Sequence, residues 1–282
     1  GMSKVQAISG ATAGDMEQLS AKAKELGANT KFSATEASEA FSYMAMAGWK
    51  TSDMLNGIDG IMNLAAASGE SLATVSDICT DAMTAFGLSA DQSARFADVL
   101  AAASSNANTN VAMLGESFKY VAPVAGAMGY SVEDTAVALG LMANSGIKAS
   151  QAGTSLRQIL LGLQGGVELA TKSTDNWRIE VENSDGSMRN LNDVVVDLRA
   201  AFADMTDAQK ASNAEAIAGK IGMSGLLAIV NAAETDFNKL TGAIDKSNGV
   251  AKKMADTMQN NLKGKVTQLK SALEGAGIAI GE

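Results

Sequence analysis

Glu116 and Cys79 are the residues from which this chain could most readily build chemistry, and both stand in a sequence that contains no histidine. That absence removes Ser-His and Cys-His nucleophile pairs, histidine metal ligands and histidine general bases together. A single cysteine excludes an internal disulfide and any multi-cysteine metal site. Cys79 falls in the apolar set Leu72, Val75, Ile78, Cys79, Ala82 and Phe86, so its expected role is packing. What remains is carboxylate chemistry. An acid in an apolar pocket can have its pKa raised and act as a general acid, and Glu116, followed by Ser117, is the candidate. Asp53, Asp59, Asp77 and Asp81 fall on helix surfaces with no converging partner and read as solvated faces. No glycine loop stands between a strand and a helix to cradle phosphate. The expectation is no catalytic, cofactor-binding or metal-binding residue, and no cofactor.

The element that positions Glu116 is one copy of an echo. Glu39-Ala40-Phe41-Ser42-Tyr43 returns as Glu116-Ser117-Phe118-Lys119-Tyr120, which gives the glutamate a repeat explanation as well as a chemical one. A broader theme recurs three times at about forty residues. Gly48-Trp49-Lys50-Thr51-Ser52-Asp53 leads to Leu64-Ala65-Ala66-Ala67-Ser68. Gly87-Leu88-Ser89-Ala90-Asp91-Gln92 leads to Leu100-Ala101-Ala102-Ala103-Ser104. Gly129-Tyr130-Ser131-Val132-Glu133-Asp134 leads to Leu141-Met142-Ala143-Asn144-Ser145. Each glycine ends a helix in the left-handed conformation that other residues avoid. One bulky residue follows, and a Ser or Thr caps the next helix with acid in its first turn. Trp49 and Tyr130, at matching positions, are expected to pack as staples. In the loop Ser104 to Asn110, the asparagines are expected to satisfy helix ends, with Asn110 as a cap.

Periodicity supports helices almost throughout. Met54, Leu55, Ile58, Ile61, Met62 and Ala65 make one buried face. Ser33 with Glu36, and Ser131 with Asp134, have capping-box spacing. Ala136 to Ala143 is apolar on every side, as a central helix should be. Between Gly165 and Asn192 the period changes: Trp177, Ile179 and Val181 alternate with Arg178, Glu180 and Glu182, predicting a strand. Asn183 to Gly186 supplies a turn, and Ser187 to Leu191 is expected to return as a second strand. Such a hairpin must pack on helices. Leu191, Val195, Leu198, Phe202 and Met205 begin the next helix, Thr206 is a candidate cap, and Leu227, Val230, Phe237, Leu240 and Ile244 mark another. Leu262, Val266, Leu269 and Leu273 mark a last helix of coiled-coil character. The fold expected is all-α, made of stacked helical hairpins on a degenerate repeat of about 40 residues, with one small β-hairpin insert. Its sections are a helical lead-in over 1–31, the repeated core over 32–164, the β-hairpin insert over 165–192 and C-terminal helices over 193–282.

Hydrophobic residues make up 46% and charged residues 19% of the 282 residues, a globular composition. Aromatics are only 4% and proline occurs once, which fits closely approaching helices rich in Ala and Met. With 31 acids against 22 bases the formal charge is −9, and no dense basic run offers a face for phosphate, so no nucleic-acid binding is expected. No apolar run reaches the roughly 20 residues of a membrane span. Gly1-Met2 has the look of a protease-cleavage remnant, and the end at Ile278-Ala279-Ile280 carries no cap, as expected of a piece of a longer protein.

Two resemblances follow from these motifs. Glu116-Ser117, with Gly140-Leu141-Met142 later, resembles lytic transglycosylases, whose catalytic Glu-Ser pair precedes a Gly-Leu-Met-Gln segment and whose acid protonates a glycosidic oxygen. Residue 143 is Ala where that motif has Gln. The second resemblance is far longer. Phe41 to Trp49, Leu64 to Gly69, Ala85 to Ser89, Phe118 to Pro123, Leu139 to Gly153, Asp185 to Leu191 and Gly222 to Gly225 are similar to the core region of phage tail tape measure proteins. It covers roughly Phe32 to Ser271. It implies a structural, non-enzymatic tail protein of a phage or prophage, working in tail assembly and tail-length determination. It also implies residence in the lumen of the tail tube, assembly in the host cytoplasm, and the tail tube protein and tail assembly chaperones as partners, with the chain as a homo-oligomer in the tail. The alternative is a peptidoglycan lytic activity of a tail protein.

Overall fold

Four turns of one design set the architecture. The computed structural model describes residues 1–171 and 177–280. Nine helices come first: α1 (Met2–Ser9), α2 (Ala13–Asn29), α3 (Ala34–Met46), α4 (Thr51–Ser68), α5 (Leu72–Ala85), α6 (Ser93–Asn106), α7 (Val111–Ala127), α8 (Val132–Asn144) and α9 (Ala149–Gly162). Two short strands follow, β1 (Val167–Leu169) and β2 (Trp177–Ile179). Then come α10 (Leu191–Ala203), α11 (Asp207–Val230), α12 (Glu234–Asp245), α13 (Val250–Asn260) and α14 (Leu262–Ile280). The class is all-α with a small β-hairpin, as the periodicity predicts.

At the three repeat glycines φ is +86°, +67° and +79° for Gly48, Gly87 and Gly129. The bonding is the same each time. The N–H of Trp49 donates to the Met44 carbonyl, that of Leu88 to Met83 and that of Tyr130 to Ala125, at 3.0, 2.8 and 3.0 Å. This six-residue closure satisfies carbonyls that the helix end leaves free. A fourth copy sits at Gly146, φ +87°, where the Ile147 N–H reaches Met142. The residue after the glycine is buried in the first and third copies, where Trp49 and Tyr130 act as staples.

The caps follow the sequence in part. Ser33 and Glu36 form a full capping box, and so do Thr206 and Gln209. Ser89 starts a 3₁₀ turn at Ala90–Gln92. In the first copy neither Thr51 nor Ser52 is the cap. Lys50 holds that position, and Asp53 accepts its N–H at 3.0 Å, so the first-turn acid does the capping. The Asp134 N–H donates to the Ser131 hydroxyl oxygen at 3.1 Å, but its carboxylate accepts the N–H of Asn192 at 2.9 Å and leaves the capping box open.

The β insert differs from its expected pairing. Trp177–Ile179 pairs antiparallel with the earlier Val167–Leu169, which is too short to show alternation. The later return is a single bridge, Glu182 with Met188, closed around Gly186, and Leu191 already belongs to α10. Residues 172–176 of the expected insert, and 281–282 at the end of the expected C-terminal helices, lie outside the described residues. The insert packs as its small size demands: Ile179 and Val181 are buried, and Arg189 bridges the Glu180 carbonyl and Asp197 of α10.

The helix expected across Leu227 to Ile244 is two helices, α11 and α12, bent by 91°. Arg199 from α10 explains the break. Its guanidinium donates to the carbonyls of Ile229 and Ala232 at 2.8 and 2.7 Å and lies 5.0 Å over the Phe237 ring. The end of α11 is therefore capped by a side chain from another helix.

The chain forms two compact units. The first takes residues 1–101 and 247–282. Phe41, Met44, Met54, Ile58, Leu72, Met83 and Phe96 fill its core. Here α13 lies along α4 and α14 along α2. The returning chain is clasped by Asp98, almost fully buried, whose carboxylate accepts the N–H groups of Gly249 and Ala251 at 2.7 and 2.9 Å. The second unit is continuous, 102–246. Its spine is α9, packed between α7 and α11, with α8 buried on every face from Thr135 to Ala143.

Candidate functional site

Leu139 to Gly153 is the densest motif; Leu139 to Ala143, Ala152 and Gly153 are buried, while Asn144, Ser145, Gly146, Ser150 and Gln151 are exposed. A Cβ built on Gly140 would lie 2.5 Å from Leu240 of α12, and Met142 packs on Gly225 of α11. After the Gly146 turn, α9 starts at Ala149, whose φ of 51° is strained for a residue with a Cβ. The Ser117 hydroxyl lies 2.8 Å from the Ala149 carbonyl and 3.0 Å from that of Met113. At Gly153 there is no room for a side chain: a Cβ would stand 2.2 Å from the Ser117 carbonyl oxygen. At Gly162 the corresponding distance, to the Ile217 oxygen, is 1.6 Å. These glycines let backbones touch, and Ser155 adds a hydrogen bond to Ile221 at 3.1 Å.

This packing decides what Glu116 can do. Ser117 is engaged with two carbonyls, so its oxygen is not a poised nucleophile. Gly140 and Met142 are buried, against Leu240 of α12 and Gly225 of α11. Glu116 itself is half-buried and makes no hydrogen bond or ion pair among the described residues. The geometry does not assemble the glycosidase reading.

The remaining candidates are structural. Cys79 is fully buried and burial pushes its thiol pKa far up, so it is held protonated. Asn106 donates to the Ala102 carbonyl at 2.8 Å, Asn110 accepts the N–H of Met113 at 2.8 Å, and Asn144 accepts that of Asn108 at 2.8 Å. The asparagine-rich loop thus satisfies helix ends, as its composition predicts. Among the described residues no cluster of three or more Cys, Asp or Glu could hold a metal ion. No single described helix is long and apolar enough to cross a membrane. The first unit has an open cleft of about 530 Å³, lined in part by Ser9, Asp15, Gln18, Lys50, Ser52 and Asn56. The Thr12 hydroxyl and N–H hold the Asp15 carboxyl below its usual range. One lysine and one stabilised carboxylate do not make an acid–base pair.

A model of the family described as phage-related minor tail protein matches residues 20–219. The chain belongs to this family. Two relatives match nearly all of this family member. The tape measure protein of Pneumococcus phage Dp-1 is 38% identical over 99% of the chain. The probable tape measure protein of Escherichia phage P2 is 29% identical over 98%. The chain spans only 24% and 34% of the length of those relatives. No solved structure matches it. The motif-bearing segments, from Phe41 to Gly225, therefore belong to a tail-protein region whose glycines, caps and staples are packing devices. Sequence reading missed Asp98, Arg199 and the Gly146 turn. Only the last carried a signal, the Gly-Ile-Lys-Ala-Ser spacing that copies the other three turns.

Proposed function

We propose that this chain is a folded, non-enzymatic section of a tape measure protein that acts in tail assembly and tail-length determination. It sits in the lumen of the tail tube, is assembled in the host cytoplasm as a homo-oligomer, and meets the tail tube protein and assembly chaperones. The observation that carries this reading is a match to two tape measure relatives over almost the whole chain. The motif glycines at Gly140 and Gly153, held in close packing, support it.

Within that role, residues 41–153 serve as a folded head on the tape and not as a stretch of ruler. A measuring helix should run on without stops, at 1.5 Å per residue. Here left-handed glycines at Gly48, Gly87, Gly129 and Gly146 fold helices of fewer than twenty residues back on one another. The head serves docking or initiation. In-frame deletion of 41–153 from the phage gene should abolish or misdirect tail assembly. Viable phage with tails shorter by about 170 Å, the helical length of that segment, would show that it is measured instead. Purified protein should release no soluble fragments from peptidoglycan between acid and neutral pH. Release that disappears in Glu116→Gln would restore the lytic alternative.

A further inference from the structure

The last helix is mounted the wrong way round for an ordinary surface helix. Its polar and small residues face the first unit. Gln268 donates to the Asn29 carbonyl at 2.9 Å, the buried Ser271 hydroxyl donates to the Lys31 carbonyl at 2.9 Å, and Glu274 accepts from Thr35 at 3.1 Å. Gly264 and Gly275 lie on the same half-buried side. The apolar stripe points to solvent: Val266, Leu269 and Leu273 are 48%, 62% and 64% exposed. An amphipathic helix that completes its own protein does the reverse. Steps of three and four make this stripe a coiled-coil seam, with Val266 and Leu273 at a positions and Leu269 at d.

The flanks decide what the seam accepts. In that register Lys265 is a g residue, while Lys263 and Lys270 are e residues. All three are exposed, and none makes an ion pair among the described residues. Residues 262–273 contain no acid, although the chain as a whole carries −9. A second copy on this seam would set lysine against lysine. In a parallel pair Lys265 meets the partner's Lys270, and in an antiparallel pair e meets e and g meets g. Like charges disfavour either arrangement. A lipid surface fits less well. Interfacial helices present a broad apolar face with Trp or Phe, and this stripe is narrow and aliphatic.

We propose that the Val266–Leu269–Leu273 seam of α14 is a docking edge for an amphipathic helix of a partner, with apolar a and d positions and Asp or Glu at e and g. Leucines give the contact its area, and the three lysines choose the partner by charge. Any self-association of the chain in a tail then uses a different surface.

The test uses the full 282-residue chain and two labelled helical peptides of about four heptads, with identical a and d leucines, read by fluorescence anisotropy. One peptide carries Glu at e and g and the other Lys. The Glu peptide should bind at least about tenfold more tightly, and the preference should shrink as salt rises. Leu269→Gln with Leu273→Gln should abolish binding. Lys263→Glu, Lys265→Glu and Lys270→Glu together should reverse the preference toward the Lys peptide, an outcome that misfolding cannot produce. Equal binding of both peptides, or binding of neither, overturns the proposal. So does self-association that the leucine substitutions dissolve, or binding to phosphatidylserine vesicles in preference to the Glu peptide.

Discussion

The two units hold their helices together by different means. The first is closed by a segment that returns from far along the chain, and polar side chains on backbone groups clasp that segment: Asp98 on Gly249 and Ala251, Gln268 on Asn29, Ser271 on Lys31. It has close backbone approaches too, with Gly60 against Ser93 and Ala94. The second unit is continuous in sequence, and its spine depends on the absence of side chains at Gly153, Gly162, Gly222 and Gly225. The return of 247–282 should therefore be sensitive to losing an acceptor, and the spine of the second unit to gaining a methyl group.

The largest effect is expected in the second unit. Gly162→Val and Gly153→Val each push carbon into a backbone carbonyl that cannot swing aside. Each should cost about 3 kcal/mol or more, read from denaturant unfolding. Gly242→Ala, where a Cβ meets nothing within 4 Å, should be neutral or stabilising and serves as the control. Comparable losses at all three positions would remove steric fit as the distinguishing feature.

Next comes the clasp of the first unit. Asp98→Ala strips the buried Ala251 N–H and the part-buried Gly249 N–H of their acceptor, at a cost of about 1–3 kcal/mol. Limited proteolysis should then cut within 247–261 first. Cys79 reports on the same unit: its protonated, buried thiol should resist maleimide until this region opens. An Asp98→Ala protein with unchanged proteolysis and an inert thiol would mean that the remaining contacts of α13 and α14 suffice.

The turn glycines belong to both units and should behave alike. Gly48→Val and Gly87→Val in the first, and Gly129→Val and Gly146→Val in the second, should each lose about 1–2 kcal/mol, because a β-branched residue tolerates positive φ poorly. Four unchanged melting temperatures would sink the idea of a repeated helix stop.

The smallest effect is electrostatic. Burial, helped by nearby Asp193 and Glu133, raises the Asp134 carboxyl above its usual range, against the hydrogen bonds from Asn192 and Ser131. The native state therefore binds more protons than the unfolded state between 3.8 and the raised value. Stability contributed by the protonated form declines as pH rises through that window and is absent at neutrality. Asp134→Asn, which keeps an acceptor for the Asn192 N–H, should flatten this slope in melting curves taken across mildly acidic pH. A slope that persists belongs to other carboxylates.

Whatever depends on residues within one helical turn of each other was written in the sequence. The positive-φ glycines, the Ser33–Glu36 and Thr206 caps, the Asn110 cap, the Trp49 and Tyr130 staples and the all-buried face of α8 are local consequences of dihedral preference, side-chain reach and periodicity. Tertiary structure decided the rest. The partner of the Trp177 strand lay upstream in three residues too few to show a period. The break between α11 and α12 is made by Arg199, about thirty residues earlier, whose guanidinium competes for the carbonyls a continuous helix would use. The return of 247–282 to the first unit rests on Asp98, and the outward seam of α14 on carbonyls at Asn29 and Lys31 that claim its polar side. Periodicity shows that a helix has two faces. Which face turns inward depends on the groups waiting there, and those come from distant parts of the chain.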